Sequence, residues 1–166
     1  MNTDTGLLIA RLVLGLLMAG HGAQKLFGWF GGHGLAGVSG YFEKLGFRPG
    51  RPFAIAAAAS ETVSGILMVL GLLGPVGPAI MISVMIVAAV TVHWRNGVFA
   101  TSNGIEVPLL YATGATALAL TGPGRISLDA LLGLTAPWTP VVTWTVLLLG
   151  VVGGVVNLAA RRPVTA

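Results

Sequence analysis

Apolar stretches of about 20 residues follow one another along this chain, separated by short polar or glycine-rich breaks. A helix rises ~1.5 Å per residue, so each stretch is long enough to cross roughly 30 Å of hydrocarbon. The first runs from about Leu7 to Phe27, the second from Phe53 to Leu73 and the third from Val76 to His93. Only the Gly74 to Gly77 turn separates the second from the third, and so short a link forces an antiparallel hairpin. A fourth, from about Val107 to Thr121, is short for a crossing and starts at Pro108, which a first helical turn tolerates. The fifth, from about Pro140 to Ala160, is the most uniformly apolar. The pattern predicts an all-α, polytopic transmembrane helix bundle: a single membrane domain over residues 1–166 with five spans.

Two connections are more than linkers. Between Gly28 and Gly40 six glycines surround Trp29, Phe30 and His33, followed by Tyr41-Phe42-Glu43-Lys44-Leu45, whose apolar spacing suits a short helix in the membrane interface. This connection, about 28–51, is expected to fold back onto the membrane. The other, about 122–134, reads Gly-Pro-Gly-Arg-Ile-Ser-Leu-Asp and then a few apolar residues too short to span, with Ser127 or Asp129 available as a helix cap.

Composition agrees with this reading. Hydrophobic residues make up 55% of the chain and charged residues 8%, with a mean hydropathy of +0.89, against about 25% charged in a soluble domain. There is no cysteine, so the chain can supply no disulfide, thiolate metal site or iron-sulfur ligand, and thiol chemistry would belong to a partner. The net charge of +4 comes from dispersed Lys and Arg rather than a basic face, which excludes nucleic-acid binding in favour of topology signals beside anionic lipid. With five spans, Lys25, Lys44, Arg48, Arg51, Arg95, Arg161 and Arg162 share one side and Arg11 and Arg125 the other. The asymmetry predicts an external N-terminus and a cytoplasmic C-terminus. Trp29 and Trp94 then mark the cytoplasmic boundary and Trp138 the outer one. Arg11 lies inside the first stretch and no basic cluster precedes it, so that stretch is read as a permanent span rather than a cleaved signal peptide.

Ionisable groups in hydrocarbon cost several kcal/mol unless paired, turned inward or near an interface, so the few present are the most informative positions. They are Arg11, His21, Lys25, Glu61, His93 and Glu106. Counted from the outer boundary, His21 and Glu61 lie at depths of roughly 21 and 18 Å and can meet if the first two spans pack together. A carboxylate facing an imidazole can share a proton, hold an ion, hydrogen-bond a carbonyl ligand, or act only as a structural clasp. Arg11 either snorkels to the outer surface or pairs with Asp129 or Asp4. Glu106 complements a helix dipole and can pair with Lys25 or Arg95. The histidines lack metal-ligand spacing, and His21 with His93 makes no persuasive haem pair, so neither a metal nor a haem is expected. Ala57, Ser60, Ser64 and Gly65 around Glu61 permit close helix contact, and Gly150 with Gly154 forms a GxxxG pair able to mediate a homodimer.

These positions fall inside stretches that resemble the DoxX family of small bacterial membrane proteins. They are Arg11 followed by Gly15 and the run from His21 to Gly28; Phe53 through Ser60-Glu61-Thr62 to Gly65 and Leu70-Gly71-Leu72; Asn96-Gly97-Val98-Phe99 with Gly104-Ile105-Glu106; and Gly122 through Arg125 to Asp129. The similarity covers about residues 7 to 134. It implies a four-helix core, to which the fifth, C-terminal span is an addition. It also implies likeness to the small subunit of a thiosulfate:quinone oxidoreductase, or to a bacterial inner-membrane partner of sulfurtransferase and superoxide dismutase in an oxidative-stress complex.

The leading expectation is a membrane subunit of a redox system with a pocket for a quinone or other lipid-soluble ligand between the first, second and fourth spans. Glu61 and His21 would exchange a proton or bind the ligand, Lys25 would complement its negative charge, and Phe27 with Trp29 would shape the entrance. Arg11, His93, Glu106, Arg125 and Asp129 complete the candidate ligand-binding set. No electron carrier is encoded, so electrons would come from a partner or a bound cofactor. The alternatives are a nonenzymatic scaffold recruiting soluble redox or sulfur-transfer proteins through Lys44, Arg48 and Arg51, and a small solute transporter, for which no inverted repeat or broken helix is evident.

Overall fold

The structure, a computed structural model, describes residues 3–162. Most of those residues are helical, with no strand among them. Helix α1 spans Thr3–Phe27, α2 Gly34–Lys44, α3 Gly50–Leu70, α4 Val76–Ala88, α5 Glu106–Thr121, α6 Leu128–Leu131 and α7 Pro140–Ala159. Beyond α4 the third span continues through a π-helical turn, Ala89–His93, and a tight turn, Trp94–Asn96. Four helices are long and apolar enough to cross a membrane: Thr3–Phe27, Gly50–Leu70, Val76–Asn96 and Pro140–Ala159. Helix α5 has 16 residues, ~24 Å at helical rise, and falls short of a full crossing. The chain is a multi-pass membrane protein.

Local chemistry sets the boundaries. Pro52 sits in the first turn of α3, where no intrahelical N–H is needed, and Gly71 ends that helix in the left-handed conformation at φ 60°. Thr139 caps α7 with Pro140 directly behind it. The glycine-rich connection holds a helix longer than its apolar spacing suggests, Gly34–Lys44, packed on α3. Glu43 of α2 accepts a hydrogen bond from Gly50 N at 3.1 Å, tying the two helices at their junction. In the 122–134 connection Ser127 caps the single turn of α6 by accepting from Ala130 N at 3.2 Å.

Lipid removes the hydrophobic drive between helices, so close approach and hydrogen bonds carry the packing. On α1 and α3 this is a glycine contact: a methyl on Gly15 would strike the Gly65 carbonyl and Val69, one on Gly65 would strike Ala19, and one on Gly22 would strike Thr62 and Ala58. Ser64 of α3 donates to the Gly77 carbonyl at 2.8 Å, binding α3 to α4. The interior is filled by Met18, Met68, Met81, Ile82, Met85, Tyr111, Leu118 and Leu147. Outward faces such as Leu16, Leu17, Leu148, Leu149 and Val156 stay exposed, as side chains against lipid do.

One expectation is overturned here. Gly150 and Gly154 do not face outward toward a second copy: both are buried, Gly150 against the Ala79 backbone and Gly154 against Ile86 and the Ser83 carbonyl. The small-residue pair is used inside the chain to seat α7 on α4.

Candidate functional site

Glu61 lies midway along α3, 4% exposed. Lys25, in the last turn of α1, donates to its Oε1 at 2.8 Å and stands 2.7 Å from Oε2. Oε2 is buried and held in ion contact with the same ammonium. Lys25 is thus the partner of Glu61, the place the sequence reading gave to His21. His21 is exposed, bonded through Nδ1 to Gln24 Oε1 at 3.0 Å and set edge-on to the Tyr111 ring at 6.2 Å.

Beside the ion pair is a cavity of about 460 Å³. Its walls come from α1, α2, α3, the third span and, through Asn157, α7; no residue of α5 lines it, and neither does His21. The pocket therefore lies among the first three spans rather than between the first, second and fourth. One stripe of α3 supplies Phe53, Ala57, Ser60 and Glu61 at helical spacing. The third span supplies Val84, Val87 and Ala88, and its π-helical turn carries that face on to Thr91 and His93. A π-helical turn inserts a residue into the helical register, a device frequent at functional sites. Tyr41, Phe42 and Phe47 close the cavity from the glycine-rich connection.

Polar groups on these walls have fixed directions. His93 Nδ1 lies 2.8 Å from the Asn103 carbonyl, which can only accept, so Nδ1 carries the hydrogen. Thr91 donates its hydroxyl to the Val87 carbonyl at 2.8 Å, and Asn157 donates from Nδ2 to the Gly153 carbonyl at 2.9 Å.

Other candidates stand apart from the cavity. Phe27 and Trp29 stack with centroids 5.0 Å apart and remain exposed; they do not line it, and the aromatic wall is Phe42, Phe47 and Phe53 instead. Glu106 pairs with neither Lys25 nor Arg95: it opens α5 and accepts from Ala100 N at 2.7 Å. Arg11 does not snorkel. It is 3% exposed, donates from Nη2 to the Ile126 carbonyl, and lies against Gly71. Asp129 is fully buried and forms no ion pair with Arg11. It accepts from Leu73 N at 2.9 Å, Gly74 N at 2.7 Å and Trp138 Nε1 at 2.9 Å, clamping the α3–α4 turn. Asp4 accepts from the backbone N of Arg125 at 2.7 Å, while the Arg125 side chain is exposed. This second cluster, at the other end of the bundle from Lys25, is built as a structural lock.

Phe42, Phe47, Phe53, Ser60, Thr91 and Asn157 were not singled out from sequence as site residues. For α3 a signal existed: Phe53, Ala57, Ser60 and Glu61 share one helical face. For Thr91 none did, because a π-helical turn leaves no mark in apolar periodicity; His93, already among the ligand-binding candidates, does lie on the cavity wall. Among the described residues no group of three or more His, Cys, Asp or Glu side chains is placed to hold a metal ion.

No curated protein and no solved structure matches the chain. The sequence model of the DoxX family matches residues 6–94, more than half of the chain and nearly all of its first three spans, which build most of the cavity around Lys25 and Glu61. The chain belongs to the DoxX family.

Proposed function

We propose that the protein is the membrane subunit of a redox system and holds a quinone-type, lipid-soluble ligand in the cavity beside Lys25 and Glu61. The observation that carries this reading is a buried ion pair set into the wall of an otherwise largely apolar cavity of about 460 Å³, within the usual 300–1,000 Å³ of small-molecule sites. A flat ring bearing oxygen substituents needs apolar and aromatic walls for its faces and a few directional polar groups for its edges. Phe42, Phe47 and Phe53 supply the first; Lys25, Glu61 and His93 supply the second. The Lys25 ammonium hydrogen-bonds a ligand oxygen and balances negative charge developing there, and the Glu61 carboxylate exchanges a proton with it. The chain has no cysteine to carry electrons, and in this reading they come from a partner.

Protein purified in mild detergent should retain a stoichiometric quinone on lipid extraction and mass spectrometry, and should bind a short-chain benzoquinone saturably. Glu61→Gln should weaken that binding at least tenfold, about one charged hydrogen bond. Absence of both retained and added quinone would end the proposal.

The exposed Lys44, Arg48 and Arg51 favour a second reading, a recruitment surface. The one ion pair among the described residues is Lys25–Glu61, so these three cations are free to meet an acidic soluble protein. Reversing all three charges should abolish co-purification of such a partner while leaving quinone retention intact; unchanged recovery of the partner would discard the surface.

A further inference from the structure

Residues 28–34, between α1 and α2, are a thin wall of the cavity. Gly31, Gly32 and His33 line it, while the neighbouring Trp29 and Phe30 side chains are 58% and 74% exposed. The hydrogen bonds from this segment to α1 converge on one residue, Gln24, which lines the cavity beside Lys25. Gly28 N donates to the Gln24 carbonyl at 3.2 Å, and Gln24 Nε2 donates to the Phe30 carbonyl at 3.2 Å. Gly32 lies so close that an added methyl would strike the Gln24 backbone. Phe30 sits in the left-handed region, at φ 52° and ψ 35°, which a bulky residue adopts only where its surroundings impose it. Gly28 at φ 74° and Gly34 at φ 63° flank it and can take up a backbone rotation.

The hydrogens along these bonds have one consistent placement. A carbonyl can only accept, so the Gln24 amide turns Nε2 toward Phe30, and this turns Oε1 toward His21 Nδ1 at 3.0 Å. Nδ1 therefore carries a hydrogen, and His21, which does not line the cavity, fixes the amide from behind. We infer that residues 28–34 are a movable wall through which the ligand passes, that the Gln24 side chain is its latch, and that His21 is the positioning residue of that latch. The other two holds engage the backbone of α1, whereas a rotation of the Gln24 side chain alone frees the Phe30 carbonyl and lets Phe30 leave the left-handed region. The passage of ligand rests on the quinone-type reading above; the latch rests on the bonds alone.

Stopped-flow binding of a short-chain benzoquinone to the full chain in detergent tests the passage, and amide exchange tests the latch. Gln24→Leu removes the side-chain bond and keeps the backbone ones. Association and dissociation rates should both rise about fivefold, the weight of one neutral hydrogen bond, leaving their ratio nearly unchanged. Exchange at Gly32, whose N–H is bonded to the Trp29 carbonyl at 2.9 Å, should accelerate about fivefold, while unchanged exchange inside α3 shows the bundle intact. His21→Leu should move all of these in the same direction. His21→Asn, whose Nδ2 hydrogen takes the place of Nδ1–H, should restore them, a rescue that a role confined to packing on the Tyr111 ring would not give. A rise in the dissociation rate alone would make the segment a fixed wall and overturn the passage. Unchanged exchange at Gly32 in Gln24→Leu would overturn the latch. If the parent protein binds no benzoquinone, the proposed function and the passage fall together, and exchange at Gly32 still decides the latch.

Discussion

At the scale of single residues the decisive object is the Lys25–Glu61 pair. Its two members are unequally buried: the Glu61 side chain is 6% exposed and that of Lys25 24%. Removing one partner of a buried pair strands the other, at about 3–5 kcal/mol when the stranded charge has no route to water. Glu61, on its short stem, is the more deeply held of the two, whereas the Lys25 stem can swing its ammonium farther into the open cavity. Lys25→Met should therefore destabilise the protein by about 3 kcal/mol and Glu61→Gln by about 1, with the double variant Lys25→Met/Glu61→Leu recovering most of the loss. Thermal unfolding in detergent reads all three, and equal losses for the two single variants would refute the asymmetry. Glu61 was legible in the sequence as a carboxylate in the middle of an apolar stretch, but its partner was assigned by backbone depth, which favoured His21. Side-chain direction decides otherwise. Lys25 lies four residues after His21 on the same helical face, and helical side chains lean toward the N-terminus, so its long stem returns the ammonium to the depth of Glu61.

At the scale of elements, helix contacts in lipid depend on where backbone can approach backbone, so glycines of one type divide sharply by position. Gly65 of α3 faces the Gly15 carbonyl and Ala19 of α1, whereas Gly20, on α1 itself, has nothing within 4 Å of an added methyl. Gly65→Ala should cost about 2–3 kcal/mol by forcing α1 from α3, and Gly20→Ala should be neutral or gain up to about 1 kcal/mol through helix propensity. Comparable thermal shifts for the two would deny that α1 and α3 are held by this contact. Apolar block lengths made the all-helical membrane fold legible, because the bilayer imposes length directly. What they could not locate was the address of a small-residue motif: Gly150 and Gly154 satisfy a dimer pattern and a tertiary one equally, and only the position of α4 selects between them. The start of α3 at Gly50 rather than Phe53 follows from Pro52, which belongs inside a first turn.

At the scale of the whole molecule the two ends of the bundle are built differently. One end is locked by Asp129, Trp138 and Arg11 around the α3–α4 turn; the other holds the cavity and most of the basic residues. From the charge asymmetry the cavity end is expected to face the cytoplasm. Because the chain has no cysteine, single replacements report sidedness cleanly: an impermeant maleimide added to intact cells should label Thr135→Cys and spare Thr101→Cys, and the reverse would invert the topology. Closure of the cavity end depends on the other end of the sequence. Arg161, just after α7, donates from Nε to the Leu45 carbonyl at 2.8 Å and lies over the Phe47 ring at 5.8 Å, while Arg162 N donates to the Gly46 carbonyl at 2.8 Å. Phe47 is 1% exposed and forms part of the cavity wall, so this strap holds a wall of the site rather than the core of the bundle. Replacing Arg161 by Ala removes one hydrogen bond and one cation–π contact, together worth about 1–2 kcal/mol of local closure. Amide exchange at Leu45 and Phe47, whose N–H groups are bonded to the Tyr41 and Phe42 carbonyls, should then accelerate roughly tenfold. The unfolding temperature should shift by no more than about 2 °C, because helix packing is untouched. Ligand affinity should fall with the loosened wall, and Arg161→Lys, which keeps the charge but loses the planar fork, should fall between. A large drop in unfolding temperature with unchanged exchange at those two amides would instead make Arg161 a support of the whole bundle and leave the wall to stand by itself.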